Sequence, residues 1–263
     1  MSMSQEHEVT PIYDLDMARD FFRMIECDGS FMLQTFDDVP KGVKGDPALA
    51  ASILWPAGDV AGQQRAWSKI LSLYAQGAGV FFTVNRTDGT GRKRENVHSV
   101  RGVWRENDDG CTTNLPLQPS LTVESSPGKF HEYILTSDPW PADEQGSAEH
   151  RAIEERLIES YGSDPNAKDL SRVLRVPGFL HRKDRNNPHL VRIVASPGWR
   201  YPRSRSLKRS RRSSSRRRRS KQRKQMVVKS SRKDRTSLSA MITKTGVFVT
   251  HCSALMLPSA MSG

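Results

Sequence analysis

Apolar residues recur at helical spacing in Met17, Phe21, Phe22 and Ile25, so the chain is expected to open on a helix over 16–25 behind an Asp cap, with a strand over 31–36. Residues 40–62 are rich in Gly, Pro and Asp and read as a loop. Trp67, Ile70, Leu71 and Tyr74 then line one face of a helix over 61–76, stopped by Gly77-Ala78-Gly79. The apolar run 79–85 reads as a buried strand and 88–94 as a basic loop. Residues 97–108, 120–124 and 129–135 read as three strands, joined by short loops, at the centre of a sheet. An amphipathic helix over 148–161 closes on Gly162. A second helix over 164–174 opens on Asp-Pro and stops before Pro177-Gly178, and the alternating stretch 189–195 is the last strand. The pattern is that of an α+β body.

After Tyr201 the pattern is lost in Arg/Ser runs such as Arg216-Arg217-Arg218-Arg219, which cannot build a core. This changes how the net charge of +12 is read, because residues 201–263 hold 18 Lys and Arg against one acid, leaving 23 against 28 before them. The body is therefore acidic, and only its local basic clusters count toward a nucleic-acid surface. Cys27, Cys111 and Cys252 are odd in number and widely spaced, with neither a disulfide framework nor a zinc pattern, which fits a reducing cytoplasm. The start is acidic and polar, unlike a signal peptide, and no apolar run is long enough to span a bilayer, so no membrane partner is expected.

Three segments carry candidate chemistry. In Val103-Trp104-Arg105-Glu106-Asn107-Asp108-Asp109-Gly110, a strand puts Glu106 and Asp108 on one face about 6–7 Å apart, a spacing suited to hard divalent ions; alone, the segment also reads as a polar turn at a strand end. In Glu124-Ser125-Ser126-Pro127-Gly128-Lys129-Phe130-His131, a glycine turn with exposed amides brings a cation and an imidazole to positions i and i+2, which suits a triphosphate, although a plain hairpin turn has the same look. In the third, 164–184, Lys168, Arg172 and Arg175 recur every three or four residues as a cationic helix face with Asp169 beside Arg172. A turn with His181, Arg182 and Lys183 follows; a solvated basic helix is the bland alternative.

In this order the acidic strand, the Ser-Pro-Gly-Lys-Phe-His turn and the Asp-x-x-Arg-x-x-Arg-x-Pro-Gly segment resemble the RepB-like branch of the archaeo-eukaryotic primases. The resemblance takes in Gly79-Val80-Phe81-Phe82-Thr83-Val84-Asn85 and covers roughly residues 61–201. It implies a primase-type catalytic fold, with a mixed, mainly antiparallel sheet that has an RRM-like half and flanking helices. It divides the chain into an N-terminal extension (1–60), a catalytic domain (61–201) and a low-complexity tail (202–263). It implies a nucleotidyltransferase joining nucleotides on a single-stranded DNA template in plasmid or phage replication, with Mg2+ or Mn2+ held by Glu106, Asp108 and Asp169. Lys129, His131, Arg175 and Lys183 would contact the nucleoside triphosphate. The basic residues Arg92, Lys93, Arg94, Lys168, Arg172, His181 and Arg182 would meet nucleic acid. With no GxxxxGK[ST] sequence, a helicase or initiator on another chain is the expected partner.

Two departures leave alternatives open. The family's first motif normally reads Asp, apolar, Asp, whereas this chain has Arg105-Glu106-Asn107-Asp108, with Arg105 and Asn107 expected to put polar groups on a face that should be buried. A catalytically inactive nucleic-acid-binding accessory protein is thus the competing function. The tail is either a disordered basic arm or the product of a reading-frame change near residue 202, and its later part, without periodicity, favours the second.

Overall fold

Asp14 accepts a hydrogen bond from the Met17 amide and so opens α1 (Leu15–Ile25), which buries Ala18, Phe21, Phe22 and Ile25 along one stripe. The computed structural model describes residues 12–204. Within them the chain continues through β1 (Phe31–Asp37), β2 (Ala51–Trp55), α2 (Val60–Ala75), β3 (Ala78–Thr83), β4 (Arg86–Thr87) and β5 (Val97–Asn107). It goes on through β6 (Leu121–Ser126), β7 (Lys129–Pro141), α3 (Glu144–Tyr161), β8 (Val173–Arg175), β9 (Leu180–His181), β10 (His189–Leu190) and β11 (Arg192–Ala195).

Two larger sheets result, a four-stranded one in the order β2-β1-β3-β8 and a five-stranded one in the order β11-β6-β7-β5-β4; β9 and β10 form a separate pair. Every pairing between these strands is antiparallel. The α+β class is as expected, and β5, β7 and β6 are the adjacent strands read from the sequence.

One apolar core joins the two larger sheets. Phe21 on α1 lies with its ring 5.0 Å from that of Phe82 on β3 and 5.9 Å from that of Tyr133 on β7, so a single helical residue touches both. Phe22, Phe31, Trp67, Val80, Trp104, Leu121 and Val123 extend the same cluster. The opposite face of the five-stranded sheet is covered by α3, through Ile153 and Leu157 against Val103 and Ile134. Gly162 ends α3 in the left-handed conformation (φ +66°), where a side chain would strike Cys111.

Four local expectations are corrected. Residues 40–62 are not all loop: Ala51–Trp55 forms β2, which pairs with β1 and packs Ile53 and Trp55 against the core. Residues 164–174 are not a helix but a series of turns that leads into β8. The Val84 amide bonds to the Arg172 carbonyl and the Val176 amide to that of Val80, so pairing with β3 overrides the helical spacing of the basic residues. The last strand is broken into β10 and β11, and the first helix is capped by Asp14, not Asp16. Leu15–Trp55, within the segment expected as an extension, supplies two strands and part of the core. The tail from residue 205 lies outside the described residues.

Candidate active site

On β5 and β7, Trp104 opposes Tyr133 in the core, and one row further out Glu106 opposes His131. Both Glu106 and His131 are buried. Among the described residues, the outer edge of β5 beyond Ser99 has no partner strand, and side chains and a turn satisfy it instead. The Arg101 amide bonds to Asn85 Oδ1 at 3.2 Å, the Trp104 amide to Glu154 Oε1 at 3.0 Å, and the Glu106 amide to Ser163 Oγ at 3.2 Å. The Asp164 amide donates to the Glu106 carbonyl at 3.0 Å. A buried strand edge requires such partners, since an orphaned amide there is costly.

The cationic side comes from the turn before β8 and from β8 itself. Arg172 grips Glu106 with two bonds, Nε to Oε1 at 2.6 Å and Nη2 to Oε2 at 2.5 Å. Arg175 makes an equivalent pair with Asp38 (3.0 and 2.6 Å) and lies over the Phe81 ring at 4.7 Å. Pro177-Gly178 then turns the chain sharply; Gly178 has φ +91°, and a Cβ there would lie 2.1 Å from the Asp14 carbonyl. That turn delivers His181, whose Nδ1 lies 2.9 Å from the Ser125 carbonyl and so carries the proton of that bond, and Arg182, whose amide binds Asp38 Oδ2 at 2.7 Å. The three sequence segments are thus physically joined, the first to the third through Glu106 and Arg172 and the second to the third through Ser125 and His181.

The remaining candidate residues are placed unevenly. Asp108 lies just past β5, half-buried, and its charge reaches both Glu106 and Arg172. Asp169 instead accepts from the Ser171 amide and hydroxyl (3.2 and 3.1 Å), and its charge reaches His150. Asp164, not singled out in the sequence, is the other carboxylate whose field reaches Glu106 and Arg172. Lys129, Lys168 and Lys183 are exposed. The Gly128 amide is not free, as the turn's expected role requires, because it donates to Glu124 Oε1 at 3.2 Å. Arg105 and Asn107 do not burden the inner face: Arg105 bonds Glu132 and the carbonyls of Thr113 and Tyr161, and Asn107 bonds the backbone of Cys111.

Arg92, Lys93 and Arg94 sit on a loop braced by Asp88, which accepts from the Thr90 amide and hydroxyl at 2.8 and 2.7 Å. With Ser52, Thr90 and Ser171 they line a cleft of about 720 Å³, so the basic loop borders the turn that carries Arg172. Arg92 stacks over Phe36 at 5.2 Å.

The acidic residues do not fit a divalent ion as they stand. Both oxygens of Glu106 are taken by Arg172, Asp169 faces its own turn, and among the described residues no three His, Cys, Asp or Glu converge as a metal site. The imidazole is better placed for a ligand. Burial, with the charges of Arg175, Arg172 and His181, lowers His131 to about 3, and its buried Nδ1 has no hydrogen-bond partner among the described residues. Burial raises the Glu106 carboxyl, against the opposing pull of Arg172.

His131 should therefore stay neutral from about pH 5 to 8, and its imidazole resonances should show no titration over that range. Because its folded value lies below the ordinary 6.5, the stability it contributes is present above about 6.5 and is lost as pH falls toward 3. A midpoint near 6.5 in the imidazole titration would contradict the buried placement.

The α+β fold, with its antiparallel sheets and flanking helices, is of the primase type, as two solved structures show. The chain superposes on the archaeo-eukaryotic primase domain of the primase-polymerase of cyanophage S-2L with a TM-score of 0.52 and 19% identity, over 75% of this chain and 98% of that one. It superposes on the primase RepB′ with a TM-score of 0.51 and 18% identity, over 88% and 75%. No curated protein sequence matches it. Within that class, residues 105–218 match the family of the RepB DNA-primase N-terminal domain. The RepB-like resemblance read from the sequence is thus shown, over a segment that starts one residue before Glu106. Among the described residues, no helix is long and apolar enough to cross a membrane.

Proposed function

We propose that this protein is a DNA primase or primase-polymerase-like nucleotidyltransferase, joining nucleotides on a single-stranded DNA template in plasmid or phage replication. The observation that carries this reading is the Nδ1 of His131, without a hydrogen-bond partner among the described residues, buried among Arg172, Arg175 and His181 and directly opposite an acidic strand end. A neutral imidazole amid guanidinium groups suits an anionic, hydroxyl-bearing ligand, and a nucleoside triphosphate is one. In this reading His131, Arg175, Lys129 and Lys183 bind and orient the triphosphate. The basic loop at Arg92, Lys93 and Arg94, with Lys168, Arg172, His181 and Arg182, takes the template phosphates, and Glu106, Asp108 and Asp169 are the catalytic acids. Mg2+ or Mn2+ is the cofactor the reading calls for, and Glu106 would have to leave Arg172 to ligate it. A helicase or initiator on another chain would complete the replication machinery, in the cytoplasm.

A second reading has its own support. The two-bond grip of Arg172 occupies both Glu106 oxygens, which suits a catalytically inactive module that docks nucleic acid for other replication proteins. A primer-synthesis assay separates the two, using the full chain, single-stranded DNA and labelled nucleotides with and without Mg2+ or Mn2+. The enzyme reading expects metal-dependent incorporation. Retained DNA binding with no incorporation under either ion would overturn it in favour of the docking module.

A further inference from the structure

Among the described residues, the outer edge of β5 is left without a strand partner at the residues that lead to Glu106, and what covers it is unusual. Glu154, on α3, is fully buried and accepts the Trp104 amide at 3.0 Å. Two residues on, Ser163 Oγ accepts the Glu106 amide, and the Asp164 amide closes on the Glu106 carbonyl. Placing a carboxyl group fully inside a protein is costly, so its use as the acceptor for one strand amide requires a reason. We infer that Glu154 is a positioning residue which, with Ser163, clamps the open edge of β5 and fixes the direction of the Glu106 side chain. The inference rests on the reading of Glu106 as an active-site acid.

Three details support a clamp over incidental packing. First, Trp104 is anchored: its side chain is fully buried in the core opposite Tyr133, so a bond to its amide ties α3 to a packed point of the strand. Second, His150 lies one helical turn before Glu154, its Nε2 3.8 Å from Glu154 Oε1 and its ring 5.2 Å from that of Trp104. Among the described residues, Glu154 Oε2, His150 Nε2 and Trp104 Nε1 are all buried without a hydrogen-bond partner, so a carboxyl group or an isosteric amide suits this polar surrounding better than an apolar side chain. Third, burial raises the Glu154 carboxyl well above the usual range, and a glutamine keeps both its shape and an oxygen to accept the Trp104 amide. The charged groups that reach it are Glu106 on β5 and Arg172 on the turn before β8, besides the Trp104 amide.

The test compares the full-length protein with its Glu154→Gln, Glu154→Leu and Ser163→Ala variants. Each is assayed for nucleotide incorporation, single-stranded DNA affinity and thermal melting, and amide hydrogen exchange is followed at Trp104 and Glu106. Glu154→Leu and Ser163→Ala should lower kcat, by up to about 10²-fold for a misplacement on the order of 1 Å, at unchanged nucleotide KM and DNA affinity. Glu154→Gln should restore kcat to within about twofold. Exchange at Trp104 should accelerate in the leucine variant and not in the glutamine variant. Folded Glu154→Leu and Ser163→Ala proteins with wild-type kcat would overturn the clamp, as would a glutamine variant as impaired as the leucine one. If Glu154→Leu fails to fold, Ser163→Ala decides through the same readouts. If the wild type incorporates nothing, the functional reading fails separately, and the exchange measurement alone upholds or rejects the clamp.

Discussion

Asp108→Ala should reduce nucleotide incorporation by about 10²–10³-fold, the scale on which a charge-stabilising group in an active site acts, while melting temperature and single-stranded DNA affinity stay at wild-type values. The separation follows from where Asp108 lies. It stands past the last paired residue of β5, half-buried, so its loss breaks no strand pairing, yet its charge acts on both Glu106 and Arg172. Glu106 cannot serve as cleanly, because replacing it also leaves the Arg172 guanidinium without its carboxylate and so alters the affinity of the site for any anion. Incorporation by Asp108→Ala at the wild-type rate would refute the assignment of the acidic pair.

Asp38→Ala should destabilise the fold by about 3–5 kcal/mol, because it strands a buried guanidinium. The Asp38 and Arg175 side chains are 1% and 7% exposed, and Asp38 also accepts the Arg182 amide. Burial alone would raise the Asp38 carboxyl. The hydrogen bonds and charge of Arg175, with the Arg182 amide, outweigh it and hold the group below its ordinary 3.8. Its contribution is therefore present above the ordinary carboxylate value and is lost as pH falls through the lower folded one, so the gap between wild type and variant should narrow in acid. Urea denaturation at neutral and at acid pH measures both effects. Adding Arg175→Leu should recover part of the loss, since no uncompensated charge then remains. A variant as stable as wild type would show that the pair contributes nothing.

Much of the scaffold could be read directly from the chain because its signals are local. The stripe from Ala18 to Ile25, the helical face from Trp67 to Tyr74 and the β6–β7 hairpin that carries His131 all depend on residues close in sequence. What escaped depends on distant partners. Lys168, Arg172 and Arg175 have the spacing of a helix face, but the main chain at 173–175 pairs with β3, about ninety residues earlier, and no local pattern announces that. Asp38 looks like one acid in a polar turn after β1; only the arrival of Arg175 gives it a role. Asp164 reads as a helix start, and its amide instead closes the strand edge at Glu106. Ser163 and Glu154 carry no signal of that role, since each acts on a main-chain amide about fifty residues away.

The bonds that complete this site join residues far apart in the chain, 66 positions between Glu106 and Arg172 and 137 between Asp38 and Arg175. Closing such long loops loses chain entropy before any contact rewards it, and folds rich in distant pairings assemble slowly. On a ribosome, the acidic strand and its imidazole neighbour emerge well ahead of the arginines that neutralise the acids. The nascent chain must therefore carry Asp38 and Glu106 without their counter-charges until residue 175 has been made and has room to dock.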